Sequence, residues 1–248
     1  MDAIAGCAGC ARHGPKPMAP APVLRDIGDF NECAVLDLVQ LRSTVWAFSM
    51  TCSNKKLKIY SALPNGTAYT CARIFMRDWV KHYGMPRKLA FPDDRGSSLH
   101  DRGAGLIGAD FITALESLGV IGDATPAYSP QSHGQVERAN RTLLESLRGD
   151  QVRTVNEADV ALGTASNVLN SSLDEGGFTA HQQVLGRNMP MQRGIFDDVP
   201  EAATAVARAS DSMRRLLQIQ DDTAAHVRQF VYSRRIRELL ESNETRTA

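Results

Sequence analysis

The chain has no apolar run approaching the roughly 18 residues that cross a bilayer. Its first thirty residues lack the long apolar core of a secretory signal. The expectation is therefore an intracellular protein, of nucleus or cytoplasm, not secreted and with no membrane partner. Cysteine is scarce and odd in number: Cys7, Cys10, Cys33, Cys52 and Cys71. Five scattered thiols do not make a disulfide framework. Neither sign of charge is in excess, with 28 Lys and Arg against 28 Asp and Glu. That argues against a strongly basic nucleic-acid binder, although a local patch can matter more than the sum. No internal repeat is visible. What remains is an ordinary globular composition over 248 residues, 43% hydrophobic and 23% charged. This length allows one domain with a full core plus flanking pieces.

Residues 1–31 read as a linker carrying part of a module: a CAGC pair, then GPKPMAPAP, which cannot propagate a helix. ECAVLDLV is nearly continuous apolar sequence, as expected for a strand buried on both faces. TVWAFSMT and KLKIYSAL read as two more strands, joined by the polar hairpin connection CSNKK. Residues 67–83 have Cys71, Ile74, Phe75 and Trp79 at helical spacing, and Gly84 is a stop. RKLAF predicts a short strand running into the turn DDRG. Residues 109–118 predict an amphipathic helix with Phe111, Leu115 and Leu118 on one side, and VIGDAT a last short strand.

TPAYSPQSHG is a loop. GQVERANRTLLESLRGD is a helix with Val136, Leu143 and Leu147 as its apolar stripe. Residues 154–170 also read as helix. From Pro200 to about Ser242 the chain reads as one long helix, with Asp198 or its neighbour as cap. This element order predicts an α/β fold, a mixed sheet flanked by helices, with functional carboxylates at strand ends.

Three acids stand out. Asp37 lies inside AVLDLV, where a charge is costly to bury unless it is paired or binds a metal. The alternative is a strand that ends at Leu36 and leaves Asp37 solvated. Asp94 follows RKLAF but competes with Asp93, and acids before glycine are also ordinary turn residues. Glu137 opens a helix, where the helix dipole alone is sufficient reason for an acid. Taken together, two Asp from adjacent strand ends and one Glu from a helix can converge on one edge of a sheet. Three carboxylates so close repel one another unless divalent cations sit between them, and hard oxygen ligands suit Mg²⁺ or Mn²⁺. Arg141, at i+4 from Glu137, and Arg148 further along could hold DNA phosphates. A plain Glu–Arg surface pair explains Arg141 equally well.

The stretch TPAYSPQSHGQVERANRTLLESLR resembles the catalytic core of retroviral and LTR-retrotransposon integrases. That family carries an aromatic, then Pro-Gln-Ser/Thr-x-Gly, then the catalytic Glu with Asn three residues later. The matching positions here are Tyr128, Pro130, Gln131, Ser132, Gly134, Glu137 and Asn140. GMPRKLAFPDDRGSSL resembles the second block, and its Asp94-Arg95-Gly96-Ser97 selects Asp94 over Asp93. ECAVLDLV resembles the first block and selects Asp37. FTAHQQVLGRNMP is similar to the segment ending in Gly-Arg-x-Pro.

The resemblance covers about residues 32–190, leaving 191–248 as a helical tail. It implies a ribonuclease H-like mixed five-stranded sheet flanked by helices, with a C-terminal helical extension. It also implies 3′-end processing and strand transfer of DNA, with catalytic and metal-binding Asp37, Asp94 and Glu137 and two Mg²⁺ or Mn²⁺ ions. Tyr128, Gln131, His133, Asn140 and Arg141 would contact DNA. The implied partners are element ends, target DNA and further copies of the chain.

CAGCARH resembles the tail of the family's His-His-Cys-Cys zinc module. A closed zinc site needs four ligands, only Cys7 and Cys10 match, and His13 is at the wrong spacing, so no zinc is expected. Other departures are plain. Asp94 and Glu137 stand 43 positions apart, several more than usual, with the excess in HDRGAGLIG. Ser98-Leu99 replaces the usual acid–aromatic pair, Leu144 stands where many integrases carry Lys, and no SH3-like domain follows residue 190. Two further readings stay open. One is an inactive integrase-derived remnant that at most binds DNA or oligomerises. The other is an insertion-sequence transposase of the same fold, with a ribonuclease H a weaker variant.

Overall fold

The computed structural model describes residues 28–42, 45–91, 109–117, 119–124, 140–141, 143–144, 147, 152–173, 177–189 and 210–244. Five strands form one sheet: β1 (Cys33–Arg42), β2 (Val45–Cys52), β3 (Lys58–Leu63), β4 (Lys88–Phe91) and β5 (Ile121–Ala124), in the order β3-β2-β1-β4-β5. The β1–β2 and β2–β3 pairs are antiparallel, and β1–β4 and β4–β5 are parallel. The sheet is therefore mixed, and β1 is its central strand.

The apolar run of β1 serves two cores because side chains alternate along a strand. Ala34, Leu36 and Leu38 enter one core with Phe48, Met50 and Cys52 of β2. Val39 and Leu41 pack against the other, with Val45, Ala47, Tyr60 and Ala62. The first face is covered by α1 (Ala68–Phe75), which continues through a π-helical turn at Met76–Val80 into α2 (Lys81–Tyr83). The expected helix over 67–83 is thus present, with a π turn that apolar spacing alone does not reveal. Cys71, Ile74, Phe75 and Trp79 are all buried. Gly84 ends the helix at φ +78°, where a side chain would be strained. Helix α3 (Ala109–Ser117) adds Phe111 and Leu115 to the same core.

Helix α4 (Val155–Asn170) covers the second face with Ala158, Ala161, Leu162, Ala165 and Val168. It also lies along the open edge of β3. The outward amides of Lys58, Tyr60 and Ala62 donate to Asn170 Oδ1 (2.8 Å), Ser166 Oγ (3.0 Å) and Asp159 Oδ1 (3.1 Å). Asn170 Nδ2 donates back to the Lys58 carbonyl at 2.6 Å. An edge strand ordinarily leaves these groups bare; here side chains of a helix occupy them.

Helix α4 opens with a capping box. Thr154 Oγ1 accepts from the Glu157 amide at 3.2 Å, and Glu157 Oε2 accepts from the Thr154 amide at 3.3 Å. Burial disfavours the Glu157 carboxylate, but amide hydrogen bonds from Arg153 and Thr154 and the Arg215 guanidinium outweigh it and lower the pKa. Replacing Thr154 by Ala should lower stability by about 1 kcal/mol. Thermal unfolding should register this as a fall of roughly 2–4 °C.

Helix α5 (Ala180–Leu185) has its own capping box at Thr179, and Gly186 closes it in the left-handed conformation. That is the local reason for the FTAHQQVLG pattern. The C-terminal helix α6 (Asp211–Glu244) packs Ile219, Ala224 and Val227 into the second core. Ser210 caps it: Ser210 Oγ accepts from the Met213 amide at 3.3 Å; residues 200–209, where the helix is also expected, lie outside the described residues. Asp198 and Pro200 lie outside the described residues. Beyond Val231, Tyr232, Ile236 and Leu240 are exposed. Cys52 and Cys71 are free thiols; Cys7 and Cys10 lie outside the described residues. Among the described residues no helix is long and apolar enough to cross a membrane.

Candidate active site

Asp37 occupies the middle of the central strand, half-buried, and does not sit past its end. The reading in which the strand stops at Leu36 is thereby corrected: β1 runs on to Arg42, held in register by β2. The side chain faces the second core, because the Leu36 and Leu38 side chains on either side face the first. A carboxylate here needs donors, and the described residues supply them. Oδ1 accepts from the Leu38 amide at 2.8 Å, and Oδ2 accepts from Asn140 Nδ2.

Asn140 reaches Asp37 across 103 positions of sequence. Its placement follows from helical spacing. Asn140 and Arg141, and then Leu143 and Leu144, are helical. Leu143 is fully buried in the second core and Leu147 packs against it, with the Leu147 amide bonded to the Leu143 carbonyl at 3.0 Å. Asn140 lies three residues before Leu143, on the same inward face, and is buried. Arg141 and Leu144 are exposed.

Strand β4 approaches the same point. It runs parallel to β1 with Val35 opposite Ala90, so its last residue, Phe91, is level with Leu36. The strand thus ends one residue short of the level of Asp37. Asp94 lies three residues beyond Phe91, and Glu137 three residues before Asn140; both lie outside the described residues. The same holds for Tyr128, Gln131 and His133. Of the acids and polar residues singled out in the sequence, the structure thus brings together Asp37 and Asn140, and leaves Arg141 at the surface nearby.

A metal would need oxygen donors whose orientation is fixed by outer partners. Asp37 meets that description, with an amide on each carboxylate oxygen. Among the described residues no group of three His, Cys, Asp or Glu side chains converges.

Sequence reasoning missed the polar surroundings of Asp37. Asp37 pairs with Ser49 on β2, and Ser49 pairs with Tyr60 on β3. These three make one row across the sheet, all on the face of the second core. The neighbouring row is Val35, Thr51 and Lys58. Ser49, Thr51 and Tyr60 are buried, and burial raises the pKa of the Tyr60 hydroxyl. The Lys58 ammonium is brought down to about 8, by burial first and then by Lys56 and Arg234. A serine opposite an aspartate in successive strands was the available signal, but it needs the register to be seen.

No family model matches this chain, and no curated protein does. Solved structures do. The chain is similar to the catalytic core domain of BIV integrase, at 23% identity and a TM-score of 0.49, over 63% of this chain and 95% of that one. It is similar also to the HTLV-2 integrase catalytic core domain, solved in a trimeric form with magnesium. That match has 15% identity and a TM-score of 0.47, over 62% of this chain and 96% of that one.

Proposed function

We propose that residues 32–190 form the catalytic core of a retroelement integrase with a ribonuclease H-like fold. Its reaction is metal-dependent trimming of a DNA 3′ end followed by strand transfer to target DNA. The observation that carries this reading is the hydrogen bond from Asn140 to Asp37. The first and third sequence blocks that resemble the family are 103 positions apart at this contact, and they meet at a carboxylate. The end of β4, from which the second block continues, lies beside them.

In this reading Asp37, Asp94 and Glu137 are the metal ligands. Asp94 is three residues from the end of a strand adjacent to Asp37. Glu137 is one helical turn before Asn140, so a helix extended back by that turn would carry it on the inward face. Three carboxylates of like charge at one point favour a divalent cation, and their hard oxygens favour Mg²⁺ or Mn²⁺. Two such ions, when bound, supply activation of an oxygen nucleophile and stabilisation of the leaving oxygen of a phosphodiester.

The chain's own contribution is orientation. The Leu38 amide and the Asn140 amide hold both oxygens of Asp37, so the carboxylate cannot rotate away. Arg141, exposed one residue beyond Asn140, is available to a DNA phosphate. Tyr128, Gln131 and His133 would sit against the DNA end. Further copies of the chain are the proposed protein partners.

The test is disintegration of a branched DNA substrate in Mn²⁺, comparing the full chain with Glu137→Gln. Strand rejoining by the wild type, reduced to background in the variant, supports the reading. A folded wild type that leaves the substrate intact would replace it with an inactive integrase-derived remnant.

A further inference from the structure

The Asn140 side chain poses a problem of hydrogen-bond direction. A carboxylate only accepts, so the amide must present its Nδ2 to Asp37. Its Oδ1 is then left needing a donor, and it has no hydrogen-bond partner among the described residues. Three more buried atoms on the same face of the sheet share that condition: Ser49 Oγ, Tyr60 Oη and Thr51 Oγ1. All belong to residues at least nine-tenths buried, Ser49 completely.

Their distribution is not scattered. Ser49 and Tyr60 stand in the row of Asp37, and Thr51 stands in the next. Lys58 shares the row of Thr51, and the apolar Val39, Ala47, Ala62, Leu143 and Leu162 pack on the same face. Cross-strand partners have Cβ atoms about 4.5–5.5 Å apart, so Ser49 lies within reach of Asp37 on one side and Tyr60 on the other. Each hydroxyl can donate as well as accept. A buried polar group without a partner suffers its whole desolvation cost, and several together in a polar pocket are the usual setting of an ordered water with two to four partners.

We propose that Ser49 is a positioning residue for Asp37, acting through Asn140. An ordered water held by the Ser49 and Tyr60 hydroxyls donates to Asn140 Oδ1. This fixes which way the amide faces and so holds its Nδ2 on the Asp37 carboxylate. The row is an outer shell to the metal site, and it rests on the reading of Asp37 as a metal ligand.

The experiment is calorimetric titration of the full chain with Mn²⁺ alone, alongside thermal unfolding, for wild type, Ser49→Ala, Ser49→Thr and Tyr60→Phe. Outer partners of metal ligands carry roughly 10–100-fold in affinity. Ser49→Ala is expected to weaken Mn²⁺ binding about 10-fold with a melting temperature close to that of the wild type. Ser49→Thr, which keeps the hydroxyl, restores the affinity. Tyr60→Phe, which keeps the ring, weakens binding by a smaller factor. Ser49→Ala binding Mn²⁺ as tightly as the wild type would overturn the positioning role alone. A folded wild type that binds no Mn²⁺ would overturn the metal site and this role with it.

Discussion

Replacing Asp37 by Asn should reduce Mn²⁺-dependent disintegration by more than about 100-fold, since even outer partners of metal ligands are worth 10–100-fold. The substitution keeps the shape and one of the two acceptor oxygens. Its amide oxygen can still accept from the Leu38 amide or from Asn140 Nδ2, the two donors that hold the carboxylate. The melting temperature should therefore move little while activity is lost. A parallel pair of variants separates the neighbouring aspartates. Asp94→Asn should behave like Asp37→Asn, and Asp93→Asn should keep activity. The opposite ranking of Asp93 and Asp94 would move the second ligand by one residue. Unfolding of Asp37→Asn would instead make Asp37 a structural carboxylate, buried for the sake of its two hydrogen bonds.

The largest effect on stability is expected at Trp79, on the opposite face of the sheet. Its side chain is completely buried. Nε1 donates to Asn31 Oδ1 at 2.8 Å, and the ring lies 5.4 Å from Tyr83 and 6.4 Å from Phe30, centroid to centroid. Asn31 in turn donates through Nδ2 to the carbonyls of Tyr83 (2.9 Å) and Gly84 (3.1 Å). It does so from a left-handed backbone conformation, at φ 66°, which Asn tolerates better than most residues. Trp79 thus ties the entry of β1 to the end of α2. Trp79→Ala removes the ring and orphans the Asn31 acceptor together. The cost should be about 3–5 kcal/mol, a large share of the roughly 5–15 kcal/mol that stabilises a domain. Urea denaturation should show the midpoint falling accordingly. Trp79→Phe, which retains most of the packing, should lose much less. A loss under about 1 kcal/mol in Trp79→Ala would mean that the first core does not depend on this junction.

The parts of the fold set by side-chain period were legible in the sequence. The strand around Asp37 reads as buried on both faces because Ala34, Leu36 and Leu38 alternate with positions that include Val39 and Leu41, and each set has its own core. The helix carrying Cys71, Ile74, Phe75 and Trp79 was legible for the same reason, as were the hairpin of β2 and β3 and the helix over 155–170. The candidate site was legible only in part. Asp37 is anomalous in a buried strand and attracts notice by itself. Asn140 does not: polar residues in helices are common, and it was singled out by resemblance rather than by physics.

Ser49 and Tyr60 were illegible because their meaning depends on register, which joins residues in three strands. The π turn at Met76–Val80 was hidden for a different reason, since one extra residue per turn barely disturbs an apolar stripe. A usable signal did exist for the contact between α4 and β3. Asp159, Ser166 and Asn170 are spaced seven and four residues apart, which puts three polar groups on one line beside the apolar stripe.

That line of polar groups bears on the order in which the protein is made. Strand β3 is complete once Leu63 has been synthesised, yet its outer amides find their acceptors only on residues 159, 166 and 170. A nascent chain halted between those points carries a hairpin with a finished interior and a bare margin, open to a strand from any neighbouring chain. The β3 margin is closed only when about a hundred further residues have left the ribosome. Contacts that late in sequence also slow folding, because the intervening loop must close first. Fragments ending between Ala124 and Asn170 should accordingly be stickier than the full chain, although they contain every strand of the sheet.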